Sequence, residues 1–105
     1  MGQRQYVYED LNALSDESLA TLLSSCPYPL LALVMKATPE VMKERMLSLL
    51  NRDKRRLVLN DSQQLDLENL NMSREAIIGE LEAAQRTIIR SARVLKEDGQ
   101  IQLDE

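Results

Sequence analysis

Chemistry at a protein site needs a nucleophile, a base, a metal set or a patterned array of charge, and only the last is present here. The chain contains no histidine, which removes the commonest general base and the commonest metal ligand. Its one cysteine, Cys26, has no imidazole to activate it. Placed before Pro27, it reads as a small packed hydrophobe. A single cysteine also forbids an intrachain disulfide, which fits a reducing compartment. Gly79 and Gly99 stand alone, so no glycine-rich loop can cradle a phosphate. Glu80 and Glu82 flank an apolar stripe, and Asp104 and Glu105 end the chain. Such carboxylates are solvated surface, since a carboxylate acid/base pair sits in a shaped, lined cleft. The sequence therefore predicts no catalytic residue, no cofactor and no metal site.

The residues left are the charges of 52–61, which begin Arg52-Asp53-Lys54-Arg55-Arg56 and close on Asn60-Asp61. Charge in this pattern can recognise a partner by complementary charge, giving fast, oriented and reversible encounter. It can equally be an ordinary solvated face, worth tenths of a kcal/mol per pair. Nucleic acid is an unsuitable partner, because the net charge is −4 at pH 7 and a positive field is required. A membrane is unsuitable too: the longest apolar run, Leu30 to Met35, is far short of a span. Gly2 does not open a myristoylation motif, because Tyr6 stands where Ser or Thr is needed. No N-terminal apolar run reads as a signal peptide. Protein partners remain.

The elements that must position these charges read as helices. The 105 residues include three glycines, three prolines, three tyrosines and neither Phe nor Trp. That composition suits one domain over 1–105 with a Leu, Ile, Val, Met and Ala core. Tyr6 to Tyr8 form a lead-in within 1–8, and Glu9 to Leu14 make one or two helical turns. Ser15 caps a helix of about 16–25 that aligns Leu19, Leu22 and Leu23. Leu30 to Met35 is apolar all round; a buried strand competes, but the helical neighbours favour a central helix. Thr38-Pro39-Glu40 predicts an N-cap at Thr38 with proline in the first turn. The helix that follows should bury Val41, Met42, Met46, Leu49 and Leu50. Asn51 caps the charged helix, which carries Leu57, Val58 and Leu65 inward and runs to about residue 64. Over 65–72 an extra turn and a loop are both open. Ser73 caps the longest helix, about 74–98, with Ile77, Leu81, Ala84, Ile88, Ala92 and Leu95 on one stripe. Gly99 suits a left-handed C-cap, Ile101 folds back, and 99–105 is a short extended tail. The fold class is all-α, a compact bundle of about six helices.

In order along the chain, several short motifs resemble one known family. They are Tyr8-Glu9-Asp10-Leu11, Leu14-Ser15-Asp16-Glu17-Ser18-Leu19, Leu31-Ala32-Leu33-Val34-Met35-Lys36-Ala37, Glu44-Arg45-Met46 and Leu49-Leu50-Asn51. Ala84-Gln85-Arg86-Thr87-Ile88-Ile89, Leu95 and Asp98-Gly99-Gln100-Ile101 continue the series. Together they resemble the C-terminal domain of the flagellar motor switch protein FliG, in register over nearly the whole chain. The resemblance implies an armadillo-related helical fold and a non-catalytic role at the rotor rim. There a charged helix faces the cytoplasmic loop of the stator protein MotA. By position it places the contact on Lys36 and Asp61. Asn60 replaces the family's first aspartate and Asp53 its arginine, with Arg52, Lys54 and Arg55 adjacent to supply that charge. The family's Gly-Pro-Val turn is absent, and Ser62 to Glu80 is longer by several residues.

Two functions follow. One is a motility component, cytoplasmic and peripheral at the inner face of the cell membrane. It would meet a stator-like loop, or other rotor or export components, through Lys36, Arg52, Lys54, Arg55 and Asp61. The other is a free-standing scaffold or homodimer that keeps the fold without torque, using Leu65, Leu67, Leu70 and Met72 as an apolar interface. The plainer reading of those four is core.

Overall fold

The computed structural model describes residues 7–65 and 72–102. They form one 3-10 segment, Tyr8–Ala13, and five α-helices: α1 Asp16–Ser25, α2 Tyr28–Met35, α3 Glu40–Ser48, α4 Arg52–Gln64 and α5 Arg74–Glu97. No strand occurs among the described residues, so Leu30 to Met35 is helical. Its neighbours explain why. α4 and α5 both pack on α2, while α5 also reaches α1 and the 3-10 segment. An eight-residue helix enclosed in this way needs apolar residues on every side. Leu31, Ala32 and Val34 are accordingly fully buried.

Local signals set most of the helix starts. Ser15, Asn51 and Ser73 each accept a hydrogen bond from the backbone N–H three residues on, at 3.1, 2.8 and 3.1 Å. Each satisfies one of the orphan donors at a helix start. Gly99 has φ +75, the left-handed conformation in which glycine carries no penalty. The turn it makes returns Ile101 to the core at 4 % exposure. Gln102 N–H then donates to the buried Ser18 Oγ at 3.2 Å, fastening the segment after α5 to α1.

α3 departs from expectation in two respects. Its N-cap is Pro39, not Thr38, and the helix begins at Glu40. The Thr38 hydroxyl is instead engaged behind it, donating to Val34 O at 2.6 Å and bonding the Tyr8 hydroxyl at 3.0 Å. It finishes α2 and does not start α3. Val41 is 78 % exposed, because the face that packs inward is set by Met42 and Met46. On α4 only Val58 is fully buried, while Leu57 is 44 % exposed and Leu65 half-buried. On α5, Ala84, Ile88 and Ala92 form the buried stripe, with Ile77, Leu81 and Leu95 half-buried around it. Tyr8, the last residue of the expected lead-in, is buried in the core and opens the 3-10 segment, and Leu103 of the expected tail lies outside the described residues.

Candidate protein-binding interface

The charges of 52–61 all fall on α4, a helix seated by one buried side chain, Val58. With one face committed to the core, the remaining side chains fan outward at 100° per residue. The structure separates them into two groups.

Lys54 and Arg55 turn inward onto backbone carbonyls. Lys54 Nζ donates to Leu23 O at 2.8 Å and Ser24 O at 3.2 Å, at the C-terminal end of α1. Arg55 Nε donates to Leu47 O at 2.8 Å, and its Nη2 to Leu50 O at 3.0 Å, at the end of α3. Helix C-termini carry unpaired carbonyls and partial negative charge, so cations stabilise them. These two residues clamp α4 to the ends of two other helices. The composition of the run could not reveal this, since nothing in it says which cations meet carbonyls.

Lys36, Arg52 and Asp61 behave differently. Lys36 and Arg52 are exposed and Asp61 is half-buried, and none of their side chains has a hydrogen-bond or ion-pair partner among the described residues. They do not cluster: nine residues at 100° each put Arg52 and Asp61 on opposite flanks of α4. Arg52 opens α4, and Asp61 lies nine residues on, about 13 Å along the axis at 1.5 Å per residue. Lys36, at the end of α2, shares a cleft with Ser62 and Gln63, so it sits at the Asp61 end. Arg56, which was not among the expected contact residues, is exposed one turn after Arg52 and likewise unpartnered among the described residues.

Of the four residues of the alternative apolar interface, Leu67 and Leu70 lie outside the described residues. Leu65 lines a shallow groove with Pro29, Leu33, Asp61 and Gln64, and Met72 is 41 % exposed.

One structural residue escaped the sequence reading. Arg45, on α3, donates to Asn12 O at 2.6 Å and Leu14 O at 2.5 Å, and pairs with Asp16 at 3.0 Å. It ties α3 to the junction between the 3-10 segment and α1. Cys26 is buried, and burial pushes its thiol above the ordinary range, which keeps it protonated and unreactive. Burial also raises the Tyr8 hydroxyl, whose oxygen lies 3.6 Å from Met46 Sδ. Among the described residues no group of three or more Cys, Asp or Glu is placed to hold a metal ion.

The described residues form an all-helical bundle with one strongly charged helix, α4, on its surface. The chain belongs to the FliG C-terminal domain family, whose pattern matches residues 1–103. It is thus a flagellar motor switch domain, of a family that acts through protein–protein contacts. No curated protein matches the chain at a significant level. No single helix among the described residues is long and apolar enough to cross a membrane.

Proposed function

We propose that the domain is the rotor-side half of a charge-steered contact, in which α4 and the end of α2 meet a charged cytoplasmic loop of a stator protein. Lys36, Arg52 and Asp61 make the contact, while Lys54 and Arg55 hold α4 at the angle that presents them. The observation that carries this reading is the division of labour on one helix. Two cations are spent on internal carbonyls, and the rest point outward with no partner among the described residues. Opposite charges about 13 Å apart along the axis and on opposite flanks of α4 orient a partner that straddles the helix as well as attracting it. Such a contact exchanges quickly, which suits a rotor passing a stator. The domain works in the cytoplasm, against the inner face of the membrane that holds the stator.

The test is association of the domain with a charged stator loop, followed across salt concentration. Lys36→Glu with Arg52→Glu should abolish salt-sensitive binding and leave the melting curve alone. Unchanged binding by that folded variant would remove the proposal.

Met72 at 41 % exposure and Ile78 at 47 % favour a second reading, self-association through an apolar surface at the start of α5. Leu65, Leu67, Leu70 and Met72 would then form a homodimer seam. Light scattering decides it: a dimer lost in Leu67→Asp with Leu70→Asp supports the seam, and a wild-type monomer at high concentration rejects it.

A further inference from the structure

Between α3 and α4 the surface opens into a cleft of about 360 Å³, with the end of α2 at its mouth. Its polar rim is Lys36, Lys43, Ser62 and Gln63. Its apolar wall includes Leu47 and Leu59, the latter still 37 % exposed. The only acidic side chain among its lining residues is Glu40, which holds Lys43 through an i,i+3 pair at 3.6 Å. That pair is loose: the Glu40 side chain is 72 % exposed and solvent screens it. Lys36 has no partner among the described residues. Two lysines, a serine and a glutamine thus line one concavity whose apolar sides can take a short aliphatic stem.

We propose that this cleft is a socket for a carboxylate side chain of the protein partner, with Lys36 and Lys43 as its cations and Ser62 and Gln63 as its neutral donors. The inference rests on the α4 contact proposed above and gives it a direction. The partner presents acid to the Lys36 end, and one of its Glu or Asp side chains enters the cleft as well as facing it. The stem lies along Leu47 and Leu59, where it sheds water, and its carboxylate competes with Glu40 for Lys43. Charge complementarity selects this occupant. A cation would meet two lysines, and a purely apolar side chain would strip water from four polar groups without bonding them. Neutralising Glu40 should therefore tighten binding, an effect opposite in sign to that of neutralising Lys43.

The probes are two blocked, alanine-rich helical peptides, one with three Glu at i,i+4 spacing and one with Gln at the same positions. They are titrated into the ¹⁵N-labelled domain, and the stator loop is run in parallel. The Glu peptide should shift the amides of residues 43, 47, 59, 62 and 63, and the Gln peptide should not. Lys43→Gln should weaken that titration about three- to fivefold and Glu40→Gln should strengthen it by a similar factor, the scale of a screened pair. Ser62→Trp, which fills the cleft without altering any charge, should erase the cleft shifts. Lys43 is a surface residue, so its variant keeps the test alive even if the tryptophan disturbs folding. Equal shifts with both peptides, or no change in Lys43→Gln and Glu40→Gln, overturn the socket. If Lys36→Glu with Arg52→Glu still abolishes stator-loop binding while the cleft variants do nothing, the α4 contact stands and the socket alone falls. If none of these variants alters binding, both fall.

Discussion

At the scale of single residues, the cations of this chain fall into distinct physical roles. Arg45 is the tightest fastening: one guanidinium serves two backbone carbonyls and a carboxylate across the junction of three elements. Replacing it by methionine keeps the aliphatic stem but leaves the Leu14 and Asn12 carbonyls without their donor. We expect a loss of about 2–3 kcal/mol in urea unfolding, the scale for hydrogen bonds to a charged group left unmade. Arg52→Met should stay within about 0.5 kcal/mol of wild type, as an exposed side chain away from structural contacts does. A comparable loss at both positions would contradict the division between fastening and presenting residues. This division was only partly legible in the sequence. Arg45 could be seen as part of a family motif, but its work depends on where Asn12 and Leu14 come to lie, 31 to 33 residues away. Lys54 and Arg55 read as surface charge because a sequence shows charge sign and not which carbonyls lie within reach. The absence of histidine and the isolation of Cys26, by contrast, are matters of residue type and needed no fold to be read.

At the scale of elements, helix ends carry the architecture. Serine or asparagine caps place α1, α4 and α5, and those starts are written in two or three adjacent residues, so they can be read locally. The start of α3 shows the limit of local reading. Thr38 has the chemistry of a cap, yet its Oγ1 donates back to the Val34 carbonyl one turn earlier on α2 and bonds the Tyr8 hydroxyl, which arrives through tertiary packing. Val41 is exposed for a related reason, since α3 is short and only Met42 and Met46 fix its buried face. The end of α5 offers a clean test. Gly99 has φ +75 and nothing within 4 Å of where a Cβ would sit, so Gly99→Ala meets backbone strain and no clash. It should cost about 1–2 kcal/mol, the penalty of an L-residue in the left-handed region. Amide exchange would show the loss locally, as the Ile101 and Gln102 return to α1 frays before the rest. A neutral substitution would mean that the C-cap does not hold that return.

At the scale of the whole molecule, α2 is the axle of the bundle, with both α4 and α5 packed on it. The central position of an apolar segment was legible from composition, and so was the all-helical class. The mutual placement of α3 and α4, and hence the cleft between them, was not, because helix packing depends on side-chain shape at the contact. Two buried acids couple this core to pH. Burial raises both Cys26 and Tyr8, so each binds its proton more tightly in the folded state than in the unfolded one. Their contribution is intact below the ordinary values of 9.0 and 10.0, and it is lost as pH rises beyond them. Stability should thus fall on the alkaline side, and Cys26→Ala with Tyr8→Phe should flatten that fall relative to its own neutral-pH value. An equally steep alkaline limb in the double variant would place the coupling elsewhere.

The central claim is that α4 presents charge to a protein partner from a rigid seat. The measurement that bears on it most directly is binding of a charged stator loop to wild type, to Lys36→Glu with Arg52→Glu, and to Asp61→Lys, at low and high salt. The expected result is wild-type binding that weakens steeply with salt. The Lys36/Arg52 variant should lose at least about tenfold at low salt, about 1.4 kcal/mol for two reversed contacts, with no change in melting temperature. Binding that is insensitive to salt, or equal across these folded variants, would contradict it.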